Sequence, residues 1–150
     1  MSPGQSEVGS PLIPNGTRVL CVDDESMIGE LVAQILRSHQ GCDVTTVRNG
    51  ADALQSLESQ SFDVILVDFI MPVMDGRGLF TRVAEAYPEM LSKLMFITGD
   101  TLTPSTIEFI RETGRPLLTK PFGLPELLAA LGRVLDRKEG SLANDEVVGK

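Results

Sequence analysis

Residues 64–76 read VILVDFIMPVMDG. The stretch begins with the apolar run VILV at 64–67, which ends at Asp68, and it continues with a segment that contains Met, Pro, Asp and Gly. A short apolar run bounded by turn-forming residues is typical of a strand buried on both faces, because an amphipathic helix needs a longer stretch. Three further runs have the same character: RVLCV at 18–22, LMFI at 94–97 and PLL at 116–118. A more polar run, DVTTV at 43–47, is typical of a strand at a sheet edge.

Amphipathic stretches lie between these runs. The first has apolar residues from Met27 to Leu36 at the spacing of one helix face, with Ser26 as its predicted N-cap. The other apolar stripes are centred on Leu54, Val83, Ile107 and Leu131. Strand and helix therefore alternate five times. This order predicts an α/β fold, a doubly wound sandwich in which helices cover both faces of a parallel sheet.

Length and composition limit the class of protein. The chain has 150 residues, of which 42% are hydrophobic, so it can bury the core of one domain. Thirteen Lys and Arg stand against 21 Asp and Glu, and the net charge of −8 argues against nucleic-acid binding, which needs surplus basic residues. No apolar run approaches the roughly 20 residues that span a bilayer, and the N-terminus does not resemble a secretory signal. We therefore expect a cytoplasmic protein with no direct membrane contact.

The two ends of the chain differ from its middle. Residues 1–16 contain three prolines and are rich in Ser and Gly, which is typical of a linker or a disordered tail. Residues 139–150, EGSLANDEVVGK, are polar and aperiodic, and we expect a C-terminal tail there. The predicted domain therefore covers residues 17–138.

Polar residues follow the predicted strands. Asp23 and Asp24 come after the first strand, Asp68 ends the third, Thr98 ends the fourth, and Lys120 follows the fifth. The carboxyl ends of parallel strands meet at one edge of a sheet, where ligands of such folds bind. We therefore expect these side chains to converge.

Neighbouring carboxylates repel one another unless a cation joins them. Oxygen ligands without clustered His or Cys favour Mg²⁺, which also binds phosphate oxygens. Lys120 could neutralise a phosphoryl oxygen and Thr98 could donate a hydrogen bond to another. A carboxylate can itself form an acyl phosphate, and Asp68, at the end of the central strand, is the best candidate.

The motifs VLCVDDES, VILVDFIMPVMDG, MFITGD and PLLTKPF together resemble the receiver domain of two-component response regulators, over about residues 17–137. The resemblance implies a flavodoxin-like (βα)5 fold with strand order 2-1-3-4-5. It implies that Asp68 is the phosphoacceptor, that Thr98 is the switch hydroxyl, and that Lys120 contacts the phosphoryl group. It further implies that Asp24 ligates Mg²⁺ directly and Asp23 through water.

The backbone carbonyl of Ile70 matches another Mg²⁺ ligand of the family. Pro121 matches a proline with a cis peptide bond, which would help to aim Lys120.

Two positions depart from the family pattern. Leu117 stands where receiver domains often have an aromatic residue that rotates on phosphorylation, so we expect the signal to leave by another route. Ile70 stands where a polar residue is common. Because its side chain cannot orient an attacking water by a hydrogen bond, we expect slow self-dephosphorylation.

The resemblance implies a histidine kinase or a histidine-phosphotransfer domain as the phosphoryl donor. The linker-like start and the short tail favour the receiver of a hybrid sensor histidine kinase. A stand-alone regulator is the alternative, and the 12 residues after residue 138 are too few for a helix-turn-helix module.

Two other functions fit these residues less well. A phosphatase of the haloacid-dehalogenase type needs an Asp two residues after its nucleophile, and Asp68 is followed by Phe69 and Ile70. A non-phosphorylated interaction module would not need the full set of acidic residues, Thr98 and Lys120.

Basic residues lie near the last two helices: Arg111, Arg115, Arg133, Arg137 and Lys138. A solvated face is their simplest interpretation. By analogy with the family, the surface of the fourth helix, fifth strand and fifth helix is the expected site of output or homodimer contacts.

Overall fold

The computed structural model describes residues 13–99 and 102–144. The first twelve residues of the predicted linker at 1–16 and the last six residues of the predicted tail lie outside this range. Within the described part of the chain, no helix is both long and apolar enough to cross a bilayer.

Five parallel strands form one sheet in the order β2-β1-β3-β4-β5, which confirms the predicted fold class and strand order. The strands are β1 (Arg18–Val22), β2 (Asp43–Val47), β3 (Val64–Asp68), β4 (Leu94–Thr98) and β5 (Leu117–Thr119). Every residue of β3 and β4 is buried, as expected for strands covered on both faces. Strand β2, in which only Val44 is buried, lies at the edge.

Helices follow each strand: α1 (Ser26–Gln40), α2 (Gly50–Ser59), α3 (Gly76–Ala86), α4 (Pro104–Thr113) and α5 (Leu124–Asn144). Local sequence explains where three of these helices begin. The side chains of Asn49, Asp75 and Thr103 accept hydrogen bonds from backbone N–H groups in the first turns of α2, α3 and α4. A 3₁₀ helix, Pro88–Lys93, which the sequence analysis did not predict, joins α3 to β4.

Two hydrophobic clusters lie on opposite faces of the sheet. One packs α1 and α5 against the sheet, and the other packs α2, α3 and α4. In the second, the buried Phe69 and Phe96 and the partly buried Phe80 and Phe109 form an aromatic group in which five pairs of ring centroids lie 5.4–6.4 Å apart.

Four local expectations were wrong. Ser26 is the first residue of α1, and Glu25 occupies the N-cap position. Ile13, placed in the linker, is 4% exposed and belongs to the core, because its apolar side chain is a member of the hydrophobic cluster that contains α1 and α5. Helix α5 runs to Asn144 rather than stopping before residue 139, since each internal glycine, such as Gly140, costs a helix only about 1 kcal/mol.

The fourth correction concerns Arg115. Its side chain is buried and donates to the backbone carbonyls of Leu94 and Ser92, at 2.7 and 2.6 Å. Arg115 therefore joins the start of β4 to the segment before β5 and is not part of a solvated basic face.

Candidate functional site

The carboxyl ends of the strands bring the predicted acidic residues to one rim. Asp23 directly follows β1 and Asp68 is the last residue of β3, its central neighbour. Counting backbone and side chain together, Asp23 is only 2% exposed and Asp68 only 3%. Two carboxylates so close to each other and to the core are costly unless a cation faces them.

Lys120 supplies that cation. Its Nζ lies 3.3 Å from Asp68 Oδ2 and 3.4 Å from Asp23 Oδ2. The residue follows β5, and its backbone N–H donates to the carbonyl of Thr98 at 2.7 Å, which fixes the lysine beside the end of β4. The Lys120–Pro121 peptide bond is cis, as predicted. The structure therefore brings Asp23, Asp68 and Lys120 together.

Asp68 is held in an environment that disfavours its charge. Burial, and then the nearby charge of Asp23, raise its pKa to about 6 from 3.8, although Lys120 and a hydrogen bond from the Ile70 backbone N–H (3.2 Å to Oδ1) act in the opposite direction. Because a carboxylate of higher basicity is a better nucleophile, this environment suits attack on phosphorus.

Lys120 remains charged in the same environment. Burial alone would lower its pKa, but the hydrogen bond to Glu25 and the charges of Asp68 and Asp23 outweigh burial and raise its pKa above the ordinary value. A permanent ammonium at this point can neutralise a phosphoryl oxygen.

Thr98 is fully buried at the end of β4. Its Oγ1 has no hydrogen-bond partner among the described residues. A buried hydroxyl without a partner is uncommon, and it offers a donor to a group that enters the rim.

The donor set of the rim fits Mg²⁺. Carboxylate oxygens of Asp23, Glu25 and Asp68 lie within 4.8 Å of one another, and the buried Oδ2 of Asp23 has no hydrogen bond within the described residues. Clustered hard oxygen ligands, one of them buried and without a hydrogen bond, match the preference of this ion.

The other two predicted metal ligands, Asp24 and the Ile70 carbonyl, are not part of this carboxylate group. Asp24 is not in this group of three; it lines a neighbouring cleft of about 1030 Å³ with residues of α2 and the β3–α3 loop, among them Asn49 and Met74. The side chain of Ile70 is 57% exposed beside Asp68. The ligand roles of Asp24 and of the Ile70 carbonyl stay predictions.

Glu25 is the functional candidate that the sequence analysis missed. Its Oε1 accepts from Lys120 Nζ at 3.1 Å, the shortest of the three carboxylate contacts to this ammonium. The available signal was its place directly after two aspartates at the start of a helix, where a short capping side chain is usual.

The β3–α3 loop, residues 69–75, is tightly constrained. Val73 has a φ of 72°, a backbone conformation that glycine or asparagine adopts more easily than a β-branched residue does. Its side chain is fully exposed. A Cβ on Gly76 would lie 2.7 Å from Phe69 Cδ1 and 2.8 Å from Phe69 Cα, so glycine is required where α3 begins. Phe69, next to Asp68, connects this loop to the aromatic group, and Leu117 packs against the same hydrophobic cluster.

Comparison with known proteins gives consistent relatives. The chain is 31% identical to the response regulator receiver protein CpdR of Brucella abortus over 118 residues, which are 79% of this chain and 96% of the relative. It is 31% identical to the transcriptional regulatory protein TrcR of Mycobacterium tuberculosis over 129 residues, 86% of this chain and 47% of that one. It is 38% identical to the sensor protein GacS of Pseudomonas syringae over 73 residues, 49% of this chain and 8% of that one.

Among other curated relatives, the chain spans only 26% of the transcription factor SKN7 of Candida albicans. A solved receiver domain protein from Methanospirillum hungatei superimposes with a TM-score of 0.75 at 26% identity, covering 85% of this chain and 99% of that one. The family model of the response regulator receiver domain matches residues 19–132. With the parallel sheet, the buried acidic rim and this match over most of its length, the chain belongs to the response regulator receiver domain family.

Proposed function

We propose that this chain is a phosphoacceptor switch in which Asp68 takes a phosphoryl group. The observation that carries the proposal is the buried Asp68 carboxylate, held between Asp23 and the Lys120 ammonium. The donor is a phosphohistidine of a histidine kinase or of a histidine-phosphotransfer domain. This is the partner class expected from the family.

In the proposed reaction a carboxylate oxygen of Asp68 attacks phosphorus. The new O–P bond forms as the P–N bond to histidine breaks, and the imidazole, which carries a proton on its other ring nitrogen, leaves as the neutral ring with the electron pair of that bond. Lys120 compensates charge on the transferring phosphoryl oxygens, and the buried hydroxyl of Thr98 donates a hydrogen bond to one of them.

Mg²⁺, bound by Asp23, Asp68, the Ile70 carbonyl and Asp24, would neutralise part of the negative charge of the phosphoryl group. Asp24 is half-buried and lies outside the group of three neighbouring carboxylates, so its carboxylate would have to approach Asp68 to join this set.

Intact mass after incubation with acetyl phosphate and Mg²⁺ tests the chemistry. The wild-type protein should gain one phosphoryl group, and the adduct should be absent with a chelator and in Asp68→Asn. Asp43→Asn is the matched control, because Asp43 is an exposed residue at the opposite end of the sheet, where β2 begins. An adduct that persists in Asp68→Asn would refute the assignment of the phosphoacceptor.

The larger context of the chain is a second proposal. We infer the receiver of a hybrid sensor histidine kinase, and the match to the sensor protein GacS supports it. The alternative is a stand-alone regulator, which is favoured by the match to nearly the full length of CpdR. A blot of native extract with an antibody to this domain separates the two, since a stand-alone chain migrates near 16.2 kDa and a hybrid kinase far above it.

We further propose that the protein acts in the cytoplasm without nucleic-acid or direct membrane contacts, in keeping with its net charge of −8. The α4–β5–α5 face is the proposed output or homodimer surface. Ile107 of α4, which is 42% exposed, supports this choice. Phosphorylation-dependent dimerisation that Ile107→Lys abolishes would agree with the proposal, and unchanged dimerisation would contradict it.

A further inference from the structure

Glu25 occupies the N-cap of α1 but does not cap it. Its backbone is extended, with φ −94° and ψ 100°, and its side chain makes no capping hydrogen bond. The carboxylate instead reaches Lys120 Nζ, 95 residues further along the chain, at 3.1 Å. The side chain is therefore committed to the rim rather than to the helix on which it stands.

The contact has a consequence for Lys120. This ammonium faces three carboxylates, of which those of Asp23 and Asp68 are 1% and 5% exposed, whereas that of Glu25 is 61% exposed. A phosphoryl group on Asp68 needs the same ammonium. Of the three carboxylates, only the exposed one can move into water when the lysine turns to a new partner.

We propose that Glu25 is a positioning residue that holds Lys120 in the resting protein and competes with phosphoryl oxygens for it. The inference rests on the proposed phosphoacceptor function. It predicts that loss of the Glu25–Lys120 contact makes the site bind a phosphoryl group more tightly, because less interaction has to be broken.

The test measures binding of beryllium fluoride, a phosphoryl mimic, at saturating Mg²⁺ by calorimetry, with the Mg²⁺ affinity titrated separately. Glu25→Gln removes both the charge and the strong contact. Glu25→Asp keeps the charge but withdraws the carboxylate by about 1.5 Å, one C–C bond, and it places a good capping residue at the helix start. Glu58→Gln, an exposed carboxylate in the last turn of α2, controls for net charge.

We expect both Glu25 variants to bind beryllium fluoride about two- to fivefold more tightly than wild type, the range that one largely exposed ion pair produces, with Glu58→Gln unchanged. A gain in Glu25→Gln alone would overturn the inference, because charge rather than the contact with Lys120 would then explain it. Wild-type affinity in both variants would also overturn it. If the wild-type protein itself bound no beryllium fluoride, the proposed phosphoacceptor function would fail first.

Discussion

Replacing Asp68 by asparagine should stabilise the fold at neutral pH, because the wild-type carboxylate is ionised in a site that disfavours its charge. Burial and the neighbouring Asp23 raise the pKa of Asp68 to about 6 from 3.8. The unfolded chain therefore releases this proton at a lower pH than the folded protein does. Stability contributed by the protonated form is lost as the pH rises from about 4 through 6, and the loss is complete above that.

The two pKa values set the size of the effect. At pH 7.5 their difference corresponds to about 3 kcal/mol, and at pH 4.5 to about 1 kcal/mol. Since the Asp68 side chain is only 5% exposed, solvent screens this term little. A gain of about 3 kcal/mol in a chain of this length raises Tm by roughly 6–12 °C.

The assay is urea unfolding followed by far-ultraviolet circular dichroism at both pH values, with a chelator present. Glu58→Gln, which alters an exposed carboxylate, should show no comparable gain. The reasoning would be refuted if Asp68→Asn were less stable than wild type at pH 7.5, because the Lys120 contact would then outweigh burial. It would also be refuted by an equal gain at both pH values, because titration of Asp68 would not be the cause.

Three further predictions concern the β3–α3 loop. Val73→Asn should raise the free energy of unfolding by about 1 kcal/mol, because asparagine tolerates a positive φ and the exposed Val73 side chain loses no packing. Val73→Thr keeps the β-branch and should give no such gain, so equal unfolding midpoints for the two variants would contradict the prediction. Gly76→Ala should lower stability by about 1–3 kcal/mol through the contact with Phe69, whereas Gly29→Ala, whose Cβ would lie 3.7 Å from Thr46, should be tolerated in the same denaturation assay. Ile70→Asn should shorten the half-life of the phosphorylated protein, measured by intact mass over time, because an amide can orient water where Ile70 cannot; a longer half-life would count against slow hydrolysis by the wild type.

Apolar runs located the sheet well because burial on both faces leaves an unambiguous signal. The runs at 64–67 and 94–97 are each one residue shorter than β3 and β4, since the polar Asp68 and Thr98 continue the strand into the site. The 3₁₀ helix Pro88–Lys93 escaped prediction because PEMLSK has no helical apolar stripe. The buried Arg115 escaped as well, because a charged side chain that satisfies backbone carbonyls looks like a surface residue in a sequence.

The site residues were predictable where a chemically suited side chain lies at the end of a strand or directly after it. Asp23, Asp68, Thr98 and Lys120 each directly follow or end a strand, so the parallel fold alone brings them to one rim. Glu25 was not predictable in this way, because its role depends on which direction a long side chain takes from the start of a helix. Asp24 shows the same limit, since it lines the adjacent cleft and is not one of the three grouped carboxylates, although it follows Asp23 in the chain.

The same electrostatic imbalance underlies the stability prediction and the inference about Glu25. Three carboxylates lie around one ammonium, so the resting rim carries excess negative charge that opposes folding. Any ligand that brings positive charge to the rim relieves part of this cost, and the relief adds to the free energy of binding. Asp68→Asn removes the cost in advance. Asp68→Asn should therefore be more stable than the wild-type protein at neutral pH. For the same reason, adding Mg²⁺ should raise the Tm of the variant by less than it raises the Tm of the wild type.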